Sequence, residues 1–105
     1  MEVRAMGTAV IVRHRVKDYD TWRPLFEEHG EVRRRYGAQG HELYRTDGDA
    51  NELIIVNRFR DLAGAHAFAA DPSLPEVMQR AGVISEPQIS FCELVETADY
   101  GAAVG

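Results

Sequence analysis

Histidine is the side chain in this sequence best suited to move a proton near neutral pH, because its ordinary pKa is about 6.5. His66 is the first candidate base, since it belongs to a stripe at three- and four-residue spacing that we expect to face a sheet, together with Leu62, Ala65 and Ala69. His14 is the second candidate, because it alternates along a strand with Val10, Val12 and Val16. For His66 the alternative is a core histidine that donates to a backbone carbonyl, or a histidine at the helix margin. For His14 it is a histidine satisfied by a neighbouring strand or by the dimer partner.

The other two histidines fit this chemistry less well. His29 follows Phe26 by one helical turn and is interpreted as a packing residue. His41 lies in a polar segment with the composition of an edge strand, so we expect it to be exposed.

Aromatic and amide side chains are the candidates for holding a substrate. Trp22 and Tyr44 can stack against a flat molecule, and Asn57 interrupts an apolar strand, where a buried amide needs a hydrogen-bonding partner. The expected substrate-binding set is completed by two side chains from apolar helix faces, Phe26 and Met78. The alternatives are a core anchor for Trp22 and a hydrogen bond to loop backbone for Asn57.

Several well-known site motifs are absent from the sequence. It has no Gly-rich phosphate loop, no paired cysteines, no His-Glu-x-x-His pattern and no nucleophile elbow around any serine. We therefore expect no metal site.

Composition narrows the classes of partner. The chain has 105 residues and a formal net charge of −5, which predicts one domain and argues against nucleic acid as a partner. The run Arg33-Arg34-Arg35 lies among Glu27, Glu28 and Glu31, so we interpret it as a solvated, salt-bridged helix face. A lone cysteine, the lack of a signal-peptide-like N-terminus and the lack of a long apolar run favour a cytoplasmic protein without a membrane span.

Hydrophobic patterning predicts the order β-α-β-β-α-β within a core of about residues 8–96, followed by a flexible tail at 97–105. The four strands are expected at residues 8–16, 39–46, 52–59 and 89–96. The first helix is expected to be capped by Asp20 or Thr21, so that Pro24 falls in its first turn, and to end at Gly37. The second helical segment divides at Asp71-Pro72, with a cap at Asp61 and a capping box that begins at Ser73.

This order predicts an α+β, ferredoxin-like split βαβ sandwich with an antiparallel four-stranded sheet and helices on one face. The other face then carries either Ile54 and Val56 or Leu53 and Ile55, depending on register. Both pairs are too apolar for water, so we expect a homodimer through the sheet face.

At this point the sequence resembles a known group of proteins. The segment His14-Arg15-Val16-Lys17-Asp18-Tyr19-Asp20-Thr21-Trp22-Arg23-Pro24-Leu25-Phe26 is similar to the first strand and helix start of the dimeric α/β barrel superfamily. The segments Gly40-His41-Glu42-Leu43-Tyr44-Arg45, Ala67-Phe68-Ala69 and Ala81-Gly82-Val83 with Pro87 follow in the order found in small bacterial proteins related to antibiotic biosynthesis monooxygenases, often labelled cyclases. The resemblance covers about residues 8–96.

The resemblance implies a pocket between sheet and helices for a small aromatic or polyketide-like molecule. It also implies chemistry without a cofactor, because an electron-rich phenolate can itself reduce dioxygen. Asn57, Trp22 and His66 do not lie where the haem-degrading branch of the superfamily has its Asn, Trp and His. The leading hypothesis is a cofactor-independent monooxygenase or cyclase that uses His66 or His14. The alternatives are a non-catalytic dimeric binding or accessory protein and a purely structural partner subunit.

Overall fold

The structure, a computed structural model, describes residues 7–101. In chain order its elements are β1 (Thr8–Arg15), α1 (Tyr19–Glu28), α2 (Gly30–Arg35), β2 (Ala38–Thr46), β3 (Asp49–Phe59), α3 (Leu62–Ala69), α4 (Ser73–Arg80) and β4 (Gln88–Glu93). The strands form one antiparallel sheet in the order β2-β3-β1-β4. The predicted α+β, ferredoxin-like fold is therefore confirmed.

The core lies between the helices and one face of this sheet. Strand residues alternate between the two faces, and the register pairs Val10 with Asn57 and Val12 with Ile55. The buried strand residues on the helix side are Thr8, Val10, Val12, His14, Leu53, Ile55, Asn57 and Phe59. The register thus assigns Leu53 and Ile55 to the core, and leaves Ile54 and Val56 on the face without helices.

The first helical segment starts earlier and is less continuous than predicted. Asp18 is the cap, and its carboxylate accepts the N–H of Thr21 at 3.0 Å, so the prediction of Asp20 or Thr21 as cap was wrong. Pro24 consequently lies inside α1, where it has no N–H to donate, rather than in the first turn. The helix also breaks at His29, whose backbone dihedrals (φ −79°, ψ 0°) separate α1 from α2.

The second helical segment divides as predicted, with one cap confirmed and one not. Asp61 accepts the N–H of Gly64 at 2.7 Å and caps α3. The capping box at Ser73 does not form; instead the carboxylate of Asp71 accepts the Ser73 N–H at 2.8 Å, in the turn before α4. None of the residues of α4 is fully buried, so this helix covers the sheet with partly exposed side chains.

The chain ends lie partly beyond this description. Residues 94–101 contain neither helix nor strand, while the rest of the predicted tail, 102–105, lies outside the described residues, as does the N-terminal segment 1–6. Among residues 7–101, no helix combines the length and the apolar character needed to cross a membrane.

Candidate functional site

A partly open, apolar cavity of about 60 Å³ lies between the helices and the sheet. Its floor is formed by strand residues, namely Val10, Val12, His14, Ile55 and Asn57. Its walls come mainly from helices and include Trp22, Phe26, His29, Arg33, Phe68 and Met78. A cavity of about 150 Å³ is known to accept benzene, so a ring-bearing ligand requires side chains to move here. The partly exposed residues of α4 are the ones best placed to do so.

Two polar atoms in this apolar cavity lack partners within the described part of the chain. They are Nδ1 of His14 and Oδ1 of Asn57, on side chains that are only 4% and 3% exposed. Buried polar groups normally have a hydrogen-bonding partner, and leaving one unmade costs about 1–3 kcal/mol. The two atoms are therefore ready to bond a ligand.

The sheet sets the spacing between these two groups. Asn57 pairs with Val10, four residues before His14 on β1. At a rise of about 3.3 Å per residue, the two positions are about 13 Å apart along the sheet. One atom of a ligand cannot contact both residues, whereas a molecule of two or three fused rings can reach from one side chain towards the other.

His14 is suited to accept a proton. Burial lowers the pKa of its imidazole, an effect that a backbone hydrogen bond only partly opposes. The ring is therefore neutral near pH 7 and has a free nitrogen lone pair. A neutral imidazole in an apolar pocket can act as a general base towards a phenol or an acidic C–H.

Four rings form a continuous aromatic row beside the cavity, two from α1 and one each from β1 and β2. His14 contacts Trp22 edge-on at 5.9 Å, Trp22 stacks on Phe26 at 4.9 Å, and Phe26 meets His41 edge-on at 4.9 Å between ring centroids. Trp22 and Phe26 are buried, and His41 pairs across strands with Asn57. The row thus joins the His14 end of the cavity to the Asn57 end, and presents ring surfaces suited to a flat molecule.

The structure does not bring His66 into this cavity. Ala65 and Phe68 are the buried residues of α3, so the large Phe68 ring takes the inward position and turns His66 outward. His66 is exposed and stacks on Phe91 of β4 at 3.9 Å, while Leu62 is 50% exposed. The predicted inward stripe is therefore wrong for Leu62 and His66, and confirmed for Ala65, which is buried, and for Ala69, which lines the cavity.

Tyr44 is also outside the cavity. It pairs with Ile54 on the sheet face opposite the helices and is 55% exposed. Strand alternation alone fixes this placement, because Leu43 pairs with the buried Ile55. By contrast, His14, Trp22, Phe26, Asn57 and Met78 all line the cavity.

His29 was interpreted as a packing residue, yet it lines the cavity and belongs to a polar chain. Its Nε2 lies 3.0 Å from the hydroxyl of Ser73, which donates to the carboxylate of Asp71 at 2.5 Å. Tyr36 donates to the other carboxylate oxygen at 2.5 Å. These bonds lower the pKa of Asp71 to about 2, with the Ser73 bond as the largest cause. The carboxylate bonds to the serine rather than to the imidazole, so this is not a catalytic triad.

Arg33 is the second cavity residue that sequence reasoning missed. The Arg33-Arg34-Arg35 run was expected to form a solvated, salt-bridged face, but Arg33 is buried, with only 6% of its surface exposed. Within the described part of the chain, none of the three arginines forms a salt bridge. The available signal was spacing, since Arg33 follows His29 by four residues and Phe26 by seven, on the same helical stripe.

The buried histidines predict how stability depends on pH. The pKa values of His14 and His29 are lowered chiefly by burial, so the folded state binds these protons more weakly than the unfolded state. We therefore expect the free energy of unfolding to fall as the pH drops below about 6.5, with a lower urea midpoint at about pH 5 than at about pH 8. Asp71 affects the free energy of unfolding at lower pH. Because its pKa is lowered, the stability that its carboxylate adds is lost only as the pH falls from 3.8 towards about 2.

A single variant tests the origin of that slope. His14→Gln removes one titrating group and should flatten the change in urea midpoint between the two pH values. An unchanged slope in this variant would show that the titration of His14 does not affect folding.

Among residues 7–101, no three His, Cys, Asp or Glu side chains gather closely enough to hold a metal ion.

Known proteins resemble this chain in structure but not in sequence. No protein-family model matches the chain, and no curated protein matches it in sequence. Solved structures do match over most of the chain.

A protein from Bordetella bronchiseptica assigned to the antibiotic biosynthesis monooxygenases superposes with a TM-score of 0.71 at 13% identity, over 87% of this chain and 99% of that one. SnoaB, a cofactor-independent oxygenase from Streptomyces nogalater, superposes with a TM-score of 0.63 at 18% identity, over 93% and 98%. NE2512 of Nitrosomonas europaea, a protein of unknown function, gives 0.69 at 16% identity, over 95% and 100%.

These similarities define the structural class. The chain has a ferredoxin-like α+β fold like that of solved structures assigned to the antibiotic biosynthesis monooxygenases. At such low sequence identity the likeness carries the fold alone. The role of each side chain must be argued from the cavity itself.

Proposed function

We propose that this protein is a cofactor-independent enzyme of the antibiotic biosynthesis monooxygenase type, which oxygenates or cyclises a small aromatic or polyketide-like molecule in the cytoplasm. The observation that carries the proposal is a pair of polar atoms, His14 Nδ1 and Asn57 Oδ1, that have no partner among residues 7–101 and lie in an otherwise apolar cavity. His14 is the acid/base group in this proposal. Trp22, Phe26 and Met78 bind the rings of the substrate, and Asn57 accepts a hydrogen bond from one of its hydroxyl groups.

The proposed oxygenation begins with a proton transfer. His14 removes a proton from an anthrone-type CH₂ group or from a phenol, and the carbanion or phenolate that results supplies electrons to dioxygen. For the anthrone, one O₂ is consumed, two C–H bonds are replaced by a carbonyl group, and the second oxygen atom leaves as water. The imidazolium of His14 gives its proton to the peroxide anion formed on the carbon, which produces a hydroperoxide. His14 then removes the second C–H proton as the O–O bond breaks, and that proton joins the departing hydroxide to form water. The electrons all come from the substrate, so the overall reaction balances without an external reductant.

Oxygen uptake is the direct test of this function. The purified protein is incubated in air with an anthrone or a hydroxynaphthalene, and dissolved oxygen and quinone product are followed together. We expect uptake well above the rate without protein, with one O₂ consumed per carbonyl formed from the anthrone. Uptake no faster than the spontaneous rate across the substrate series would overturn the oxygenase proposal.

A non-catalytic binding or accessory protein is the second candidate. It is favoured by the small size of the cavity, about 60 Å³, which leaves little room for both a ring and dioxygen. Saturable binding of the same compounds without turnover, measured by calorimetry, would assign the cavity to this role.

A homodimer through the sheet face is part of the same proposal. The face opposite the helices has an apolar centre formed by Ile11, Ile54 and Val56, which are partly exposed in the single chain. Ion pairs flank it on both sides, Arg13–Glu52 at 3.0 Å and Arg58–Glu42 at 3.2 Å. An apolar centre with a polar rim is the usual composition of a protein interface.

The oligomeric state tests this part. Light scattering coupled to gel filtration should give twice the chain mass of 11.8 kDa. Val56→Arg introduces an unpaired charge at the centre of the face and should give the single-chain mass, with circular dichroism reporting that the fold is retained. Glu31→Arg, at an exposed position of α2, is the matched control and should stay dimeric. A wild-type mass equal to one chain at tens of micromolar would contradict the dimer.

A further inference from the structure

Arg33 is a buried cation without an anionic partner in the described part of the chain. Its side chain is on α2 and only 6% of the residue is exposed. Of the nearby carboxylates, Glu31 is exposed and forms no ion pair within residues 7–101, while Glu27 pairs with Arg23 at 3.1 Å and Glu28 with Arg80 at 3.7 Å. A buried charge is costly unless it is paired, so this position is either an unrelieved cost to folding or a site for an incoming anion.

The charges around Arg33 are mostly of the same sign. Burial, then Arg23 and Arg34, lower the pKa of Arg33 to about 10, which still leaves it charged near neutral pH. Its guanidinium lies 3.7 Å from the centroid of the Phe26 ring. This cation–π contact offsets part of the burial cost but uses none of the five N–H donors. Positive potential is thus concentrated at one point of a protein whose net charge is −5.

Arg33 lies where two cavities meet. It lines the apolar cavity described above and also an outer groove of about 330 Å³. We call this the basic groove; it is lined by Arg23, Arg33, Arg34, His41, Glu27 and Gly30. A Cβ added at Gly30 would lie 3.3 Å from Nη2 of Arg33 and 3.6 Å from Nη1 of Arg34. Two guanidinium groups therefore approach the same small space, which a glycine keeps open.

We infer that the basic groove binds a carboxylate group of the substrate whose rings occupy the apolar cavity, with Arg33 as its principal ligand. This inference rests on the proposed function and names the substrate class, an aromatic carboxylic acid. The planar fork of an arginine matches a carboxylate through two parallel hydrogen bonds. The aromatic row supports the geometry, because Phe26 contacts Arg33 on one side and leads through Trp22 to His14 on the other. The carboxylate is thus held at the Asn57 end, away from the reacting atom at His14.

Binding of two matched compounds tests the inference without any need for turnover. The pair is 3-hydroxy-2-naphthoate and 2-naphthol, which share the ring body and the hydroxyl group and differ in the carboxylate. In isothermal titration calorimetry the wild-type protein should bind the naphthoate at least about 10-fold more tightly than the naphthol, as expected for a charged hydrogen-bonded pair. Raising the salt concentration should weaken the binding of the naphthoate and leave the binding of the naphthol unchanged.

Variants of α2 assign that preference to one residue. Arg33→Met should weaken naphthoate binding about 10- to 100-fold and leave naphthol binding within about 3-fold. Its thermal midpoint should equal or exceed that of the wild type, since an apolar side chain of similar volume removes an unpaired buried charge. Arg35→Met, an exposed arginine on the same helix, is the control and should bind both compounds as the wild type does. Arg33→Lys should recover part of the loss.

The result that would overturn the inference is distinct from failure of the proposed function. The inferred carboxylate site is contradicted if Arg33→Met weakens the binding of both compounds equally, or if the wild type does not bind the naphthoate more tightly than the naphthol. This holds even when oxygen uptake is observed. If Arg33→Met loses only the binding of the naphthoate while no compound is oxidised, the carboxylate site is supported and the proposed oxygenase reaction is contradicted.

Discussion

Replacing His14 by alanine is expected to lower the rate of oxygen uptake by about 100-fold or more, the usual effect of removing a general base. The reason is the position of its imidazole, which is neutral and buried at the floor of the cavity, with an Nδ1 atom that has no partner among residues 7–101. The Kd for a ring-bearing ligand should change little, because Trp22 and Phe26 supply most of the stacking surface. Initial rates of oxygen uptake and calorimetric binding, measured on the same preparation, separate the two effects.

His66→Ala is the matched control, since it is the same substitution at an exposed histidine outside the cavity. It should retain the wild-type rate. Equal losses in the two variants would contradict the role of His14 in proton transfer, as would a wild-type rate in His14→Ala. The logarithm of the rate for the wild type should also rise with pH to a plateau, and the midpoint should lie below about 6.5, because burial lowers the pKa of His14.

Gly64→Ala is expected to destabilise the protein by about 1–3 kcal/mol, the typical cost of overpacking. In an ordinary exposed helix this substitution stabilises by about 1 kcal/mol. Here a Cβ at residue 64 would collide with the backbone carbonyl oxygen of Tyr36 and lie 3.1 Å from the capping carboxylate of Asp61. Neither group can move aside freely. Urea denaturation measures the change in the free energy of unfolding.

Ala67→Gly provides the reference for α3, because residue 67 is exposed in the same helix. It should cost about 1 kcal/mol through helix propensity alone. Opposite substitutions at the two positions would then both destabilise the protein. A stabilised Gly64→Ala variant would show that α3 can move away from Tyr36 without cost. Where α3 does shift, it takes Phe68 with it, so naphthol binding should weaken as well.

The fold could be predicted from local patterns because its strands alternate cleanly. A single buried face of the sheet is marked by Val10, Val12 and His14 on β1 and by Leu53 and Ile55 on β3. The order of the elements follows from the assignment of these strands. The start of the first helix was harder to place, because Pro24 suggested a later first turn than the Asp18 cap allows. A proline inside a helix is tolerated where packing compensates, and packing is not visible in a local pattern.

The candidate site was predictable on the strands and less so on the helices. A strand has only two faces, so alternation placed His14 and Asn57 correctly on the buried side. A short helix has many possible rotations, and the choice between His66 and Phe68 for the inward position was decided by the larger apolar ring. Arg33 was misplaced for a different reason, because a run of charged residues normally indicates solvent exposure.

The absence of any fully buried residue in α4 has a consequence for the time scale of ligand exchange. An element held by partly exposed contacts can open in a local fluctuation that costs far less free energy than global unfolding. Its amides should therefore exchange with solvent deuterium well before those of β1 and β3. Because the resting cavity is smaller than a benzene site, entry and release wait for this opening. For the proposed enzyme we therefore expect the local opening of α4, rather than diffusion of the ligand to the surface, to set the upper limit on turnover.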